Sequence, residues 1–197
     1  MKSSYLRPAL AFALALGLAA CGGTETFTVA GSIQGLAYPG LVLTNKGGAD
    51  LAVAANSTTF AFPNSIEYGD TYDVQIKAQP AHQTCEIDPN FDSDTAGRMA
   101  AINIPVRCVI NSFTVGGKIT DLTTEGLVLT NGTAGGTVTV AKGATAFVLP
   151  NRVPFGETYG VTVLKQPTGL ECTVVSGGVG QMGDANVENI LIDCEIM

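Results

Sequence analysis

From Phe27 onward the chain repeats itself at an offset of 86 to 87 residues, and this limits its possible folds more than any other feature. Phe27-Thr28-Val29 returns as Phe113-Thr114-Val115. Gly40-Leu41-Val42-Leu43-Thr44-Asn45 returns unchanged as Gly126-Leu127-Val128-Leu129-Thr130-Asn131, and Pro63-Asn64 as Pro150-Asn151. Tyr68-Gly69-Asp70-Thr71-Tyr72 matches Phe155-Gly156-Glu157-Thr158-Tyr159, Gln79-Pro80 matches Gln166-Pro167, and the pair Cys85/Cys108 matches Cys172/Cys194. The offset shifts by one residue only between these landmarks, where loops belong. Two units, 27–110 and 111–197, therefore share one fold.

Within each unit the apolar residues alternate with period two. Tyr72, Val74, Ile76 and Ala78 fall on one side and Asp73, Gln75 and Lys77 on the other, the pattern of a half-buried strand. Phe27, Val29 and Ile33 repeat that alternation, as do Phe113, Val115 and Ile119, while Leu41-Val42-Leu43 is apolar throughout, as a central strand would be. Clusters such as Asn45-Lys46-Gly47-Gly48 and Asn131-Gly132-Thr133 separate the runs at hairpin spacing, which predicts about seven short strands per unit. The first unit's strands are expected near 27–33, 41–44, 50–54, 58–62, 71–78, 84–87 and 102–109. Two sheets packed face to face bury such a pattern economically, so the expected class is all-β, two tandem antiparallel β-sandwich repeats. The 24 glycines and a charged fraction of 14% agree with a turn-rich β protein.

The shared pattern Gly-x-(Ile/Val), Gly-Leu-Val-Leu, Phe-x-(Phe/Leu)-Pro and Gly-x-Thr-Tyr-x-Val-x-(Ile/Val) resembles the prealbumin-like or immunoglobulin-like modules of bacterial surface proteins. It also resembles a repeat ending in Gln-Pro, Cys and Cys that recurs in exported bacterial lipoproteins. The resemblance covers nearly all of 27–194, and because its residues belong to strands and turns it implies fold and location rather than an activity.

Residues 1–20 open with Lys2 and Arg7, run through an apolar stretch from Ala9 to Ala19 and end in small residues, the pattern of a cleaved signal peptide. The apolar run falls short of the roughly 20 residues a membrane-spanning helix needs. At its end Leu18-Ala19-Ala20-Cys21 resembles the bacterial lipobox at all four positions. That resemblance implies a diacylglyceryl group on the Cys21 thiol, cleavage before Cys21 and acylation of the new amine, leaving 21–26 as a short tether. Several acyl chains give lasting attachment where one binds only marginally. Gly22 after the cysteine, by the same resemblance, implies sorting to the outer membrane.

Cys85, Cys108, Cys172 and Cys194 then remain in an oxidising compartment, where four cysteines allow three pairings. The repeat selects Cys85 with Cys108 and Cys172 with Cys194, each closing a loop that contributes on the order of 3 kcal/mol. For a unit of this size that is a large share of marginal stability. Neither pair has the Cys-x-x-Cys spacing that redox or zinc chemistry favours.

Removing Lys2 and Arg7 with the leader leaves eight basic side chains against 17 acidic ones, a net charge of −9. Nucleic acid is therefore excluded as a partner, and membrane attachment must come from the lipid rather than from a basic patch. The single histidine, His82, stands in a loop before Cys85 and reads as exposed, with nothing around it to suggest a catalytic triad. Asp70 and Glu157 occupy equivalent turns, which argues for a turn role, with Tyr72 and Tyr159 entering the core face. One segment departs from the repeat. Asp88, Asn90, Asp92 and Asp94 place oxygen side chains at every second position, as a calcium loop would, but Ser93 and Met99 stand where an EF-hand has glycine and glutamate. A calcium site and a solvated acidic loop are its two readings.

The expected function is a non-enzymatic, membrane-tethered envelope lipoprotein acting as a spacer or as an interaction surface for an envelope protein. The alternative is a carbohydrate-binding or adhesin module that uses loops at one end of each sandwich.

Overall fold

A computed structural model describes residues 25–48, 50–132 and 136–197; the expected signal peptide and Cys21, with the sequence that resembles a lipobox, lie outside them. The described residues form strands and turns without a helix. The first unit contains β1 (Thr26–Phe27), β2 (Ala30–Gln34), β3 (Val42–Asn45), β4 (Leu51–Ala52), β5 (Thr59–Ala61), β6 (Ile66–Glu67), β7 (Thr71–Ala78), β8 (Gln83–Ile87), β9 (Ser93–Thr95) and β10 (Ile104–Ile110). The second contains β11 (Ser112–Phe113), β12 (Val115–Thr120), β13 (Val128–Asn131), β14 (Thr137–Thr139), β15 (Ala146–Val148), β16 (Val153–Pro154), β17 (Thr158–Lys165), β18 (Leu170–Ser176), β19 (Val179–Gln181) and β20 (Val187–Ile196).

Each unit is a sandwich of two four-stranded sheets with a two-stranded ribbon at one end. Sheets β5-β2-β10-β8 and β4-β3-β7-β9 enclose the first core, and β15-β12-β20-β18 and β14-β13-β17-β19 the second, with ribbons β1-β6 and β11-β16. One cluster, from Phe27 to Cys108 and including Leu41, Leu43, Val74 and Ile104, fills the first sandwich. The other runs from Val115 to Cys194 around Leu127, Leu129, Ile190 and Ile192. The all-β sandwich class expected from alternation is the observed one. It has more strands than the seven expected, because the ribbons and the three-residue strands β9 and β19 are too short to show a period.

One feature of the pairing differs from a purely antiparallel plan. The first long strand of each unit runs parallel to the last, β2 with β10 (Gly31↔Ile104 to Gln34↔Arg107) and β12 with β20 (Gly117↔Ile190 to Thr120↔Asp193). Alternation within a strand is blind to the direction of its neighbour, so the sequence carries no sign of this. The close approach is permitted by glycine. A Cβ on Gly31 would overlap the Ile104 carbonyl oxygen, and one on Gly117 the Ile190 carbonyl oxygen.

The repeated motifs turn out to hold the scaffold. The Gln79 side chain donates to the Cys85 carbonyl at 3.0 Å and accepts from its N–H at 2.7 Å, and Gln166 does the same to Cys172 at 2.9 and 2.8 Å. Each Gln-Pro motif thus supplies the edge strand β8 or β18 with a side-chain substitute for a missing strand partner. Asn45 Oδ1 accepts from Asp73 N–H at 3.0 Å, and Asn131 Oδ1 from Gly160 N–H at 2.6 Å, closing the ladders that follow the Leu-Thr-Asn motif. Both disulfides are formed, Cys85–Cys108 and Cys172–Cys194, between residues directly opposite in the β8·β10 and β18·β20 pairs.

Candidate functional site

Since the shared residues carry the fold, the positions where the two units diverge are the place to look for function. Equivalent hydrogen bonds define which positions correspond. Gly69 N–H to the Ala96 carbonyl matches Gly156 N–H to the Met182 carbonyl, so Arg98 corresponds to Asp184. Asn111 N–H to the His82 carbonyl matches Met197 N–H to the Gly169 carbonyl, so His82 corresponds to Gly169. Ala81 N–H to the Pro39 carbonyl matches Thr168 N–H to the Glu125 carbonyl, so Tyr38 corresponds to Thr124. Three of these divergent residues, Tyr38, His82 and Asp184, meet at the junction of the units.

There the His82 imidazole stacks on the Phe155 ring, with centroids 3.7 Å apart and planes within 3°. Tyr38 meets both edge-on, at 5.1 Å from His82 and 5.8 Å from Phe155. His82 Nδ1 lies 2.8 Å from Asp184 Oδ1, a contact between residues 102 apart in sequence. The backbone continues the junction, since Phe155 N–H donates to the Asn111 carbonyl at 2.8 Å and Thr84 Oγ1 to Asn111 Oδ1 at 2.8 Å. The Arg152 guanidinium donates to the Ser112 carbonyl.

Local structure explains how the aromatic residues are presented. Gln83, buried at 2% exposure, accepts from Ala37 and Tyr38 N–H at 2.8 and 2.9 Å and donates to the Gly35 carbonyl at 2.7 Å. It pins the loop that carries Tyr38. His82 holds a left-handed backbone, φ +58°, where its counterpart is Gly169 at φ +73°. A non-glycine residue in that region costs about 1–2 kcal/mol. Aromatic pairs of this kind return about 0.5–1.5 kcal/mol each beyond area burial.

The reading of His82 as an exposed loop histidine is therefore corrected, its side chain being 30% exposed and packed into the junction. Its partners are remote in sequence, which is why local reading missed them. The signal that could have found it is the divergence between the repeats itself. With one ring face on Phe155, an edge-on Tyr38 and Nδ1 on a carboxylate, the His82 ring is held by partners from both units.

The acidic segment contains a strand that the second unit also has. Ser93–Thr95 pairs with β7 (Thr71↔Thr95 to Asp73↔Ser93) as β19 pairs with β17 in the second unit. Asp88 Oδ1 caps a turn by accepting from Asn90 N–H at 3.0 Å and Nδ2 at 2.8 Å, and Asp92 Oδ1 accepts from the Ser93 hydroxyl at 2.9 Å. Asp94 Oδ1 accepts from Thr95 N–H at 2.7 Å and from the Arg98 guanidinium at 2.9 Å, and these two bonds, the backbone one foremost, hold its carboxyl below the usual range. Among the described residues no group of three or more His, Cys, Asp and Glu side chains stands where it could hold a metal ion. Burial, with Asp94 and Asp92 adding to it, pushes the Tyr72 phenol up instead.

Open depressions also lie over the sheet faces. One of about 380 Å³ lies over β8 and β10 with Gln34, Glu86 and Arg107 at its surface, and one of about 250 Å³ lies over Gly116, Gly117 and Val148. Neither contains His82 or pairs a nucleophile with a base.

No family model and no curated protein matches the chain. Among solved structures it is similar to the Bacillus anthracis TIE protein, at 12% identity and TM-score 0.46 over 87% of this chain and 34% of that one. It thus spans about a third of that structure. It is also similar to a C-terminal fragment of the pilus adhesin SpaC from Lactobacillus rhamnosus GG, at 11% identity and TM-score 0.38 over 88% of this chain and 99% of that one. The major pilin protein T-13 from Streptococcus pyogenes matches at 11% identity and TM-score 0.31, over 89% and 98%.

Proposed function

We propose that this is a non-catalytic lipoprotein of the bacterial cell envelope, anchored through an acylated Cys21, whose two sandwich units act together as a spacer or interaction element. The junction carries this reading. Tyr38, His82, Phe155 and Asp184 couple the units directly, so that whatever the far unit presents is held in a defined orientation to the near one. The lipobox at the end of the apolar leader supports the anchor, and its Gly22 supports the outer membrane.

Fractionation of cells expressing the full chain tests the anchor. The wild type partitions with membranes and yields a mature N-terminal Cys21 carrying acyl groups by mass spectrometry, while Cys21→Ser is released. An unacylated mature start would refute the anchor. Residues 22–197 assayed against glycan, peptide and ester substrates should turn over none, and hydrolysis of any of them would refute the non-catalytic part. Binding on a glycan array would move the reading to a carbohydrate-binding module.

A further inference from the structure

The end of the second unit that receives the first is built from Phe155 and Asp184. The same end of the first unit carries Tyr68 and Arg98 at the corresponding positions, with Met99 beside them, and among the described residues none packs over it as the first unit packs over Phe155. Tyr68 is 67% exposed, Met99 58%, and the Arg98 side chain 72%. This is an open copy of an interface that is closed elsewhere in the same molecule.

Tyr68 is presented firmly. Its ring lies over Gly97, at φ +92°, where any Cβ would overlap it. Its N–H donates to the Glu25 carbonyl at 2.9 Å, which fixes this end beside the point where the chain enters the unit. Cys21 lies four residues before Glu25, and four extended residues span at most about 14 Å.

We infer that this end of the first unit, with Tyr68 over Gly97 and Arg98 at its rim, seats on the headgroup region of the phospholipid bilayer that holds the Cys21 lipid. The inference rests on the anchored reading proposed above. A second copy of the chain fits the surface less well, because its far end offers Thr124 and Gly169 where the junction uses Tyr38 and His82. A tyrosine ring with a polar tip suits the boundary between acyl chains and water. The change from Asp184 to Arg98 replaces an anionic position by a guanidinium that is paired with Asp94 at 2.9 Å and 72% exposed, leaving its remaining N–H donors open to lipid phosphate. Glu25, Glu67 and Asp70 stand on the same end, so the contact is not a basic patch and depends little on anionic lipid or salt. The short tether keeps this face at high effective concentration near the bilayer, so a weak contact suffices.

The chain contains no tryptophan, so Tyr68→Trp in the acylated protein is a single reporter. In phosphatidylethanolamine/phosphatidylglycerol vesicles with brominated acyl chains, its emission should shift to the blue and fall at least about twofold relative to unbrominated vesicles. Met99→Trp should respond in the same direction, whereas Phe155→Trp, inside the junction, should not. Mass spectrometry first establishes acylation of each preparation. Acylated, vesicle-bound Tyr68→Trp and Met99→Trp variants that keep solvent-exposed, unquenched emission would overturn the inference while leaving the anchor intact. Emission protected by self-association in lipid-free solution would assign the face to a second copy and overturn it as well. An unacylated N-terminus would remove the anchored reading and this inference together.

Discussion

Gln83→Leu tests whether the polar pin beneath Tyr38 is a structural necessity, and the repeat makes it a sharp case because the corresponding residue in the second unit is Leu170, equally buried. By that analogy the substitution should be harmless or favourable. The structure argues otherwise. Leucine would leave Ala37 N–H, Tyr38 N–H and the Gly35 carbonyl without the partners they have at 2.7 to 2.9 Å. At the lower limit of about 1 kcal/mol for each desolvated group the loss is about 3 kcal/mol. The added apolar burial returns about 1 kcal/mol, leaving the first unit about 2 kcal/mol less stable. With an m-value of about 1–2 kcal/mol/M, the urea midpoint read by probes in the first unit should fall by about 1–2 M, ahead of that of the second unit, to which the junction transmits only part of the loss. Amide exchange at Ala37 and Tyr38 should accelerate in parallel. A midpoint within about 0.3 M of wild type would show that water replaces the glutamine, and the account of how Tyr38 is held would fail.

Replacing Cys85 and Cys108 together by alanine should cost about 3 kcal/mol from loop entropy, and Cys172 with Cys194 nearly the same, since the loops span 23 and 22 residues; unequal losses by urea unfolding would contradict this. Phe155→Ala should remove about 1–3 kcal/mol of coupling between the units, seen in calorimetry as two separated transitions in place of a merged one. His82→Gly combined with it should be less than additive, because the glycine relieves the left-handed backbone while losing the same stack. The Tyr72 phenol is raised in the folded state, so its contribution is fully present below the ordinary value of 10 and is lost as pH rises through the higher folded value. Tyr72→Phe should flatten this alkaline fall in stability, and an unchanged pH profile would count against it.

What the sequence disclosed was what repeats. The strand faces, the two cores and the cysteine partners follow from residues that recur, because recurrence reports a common environment even without an alignment. Short strands escaped. Residues 93–95 and 179–181 offer three residues each, too few for a period, and the first of them hid behind an acidic composition that suggested a metal loop. The junction escaped for a different reason. Its stack joins His82 to Phe155 and its hydrogen bond joins His82 to Asp184, contacts that exist only once both units are folded, and they sit where the repeats disagree. The short reach from Cys21 to Glu25 is legible in the sequence, but the open face beside Glu25 became recognisable only by comparison with the occupied one.

The parallel pairing of first and last strands has a consequence for the whole molecule. Were β10 antiparallel to β2, the chain would enter and leave each sandwich at the same end, and tandem units would fold back beside one another. Because they run parallel, the chain enters beside Tyr68 and leaves at Ile110, and the single residue Asn111 separates β10 from β11. Each unit is therefore a through-going segment, and the junction fixes the next one in line. An eight-residue strand such as β7 or β17 spans about 26 Å at 3.3 Å per residue, so two units in line place Thr26 about 50 Å from Ile196. Spin labels at those two positions, read by double electron-electron resonance, should give a narrow distribution near that distance. Phe155→Ala should broaden it without unfolding either sandwich. A wild-type distance near 25–30 Å, the length of one unit, would mean that the units lie side by side, and the spacer reading would fall with it.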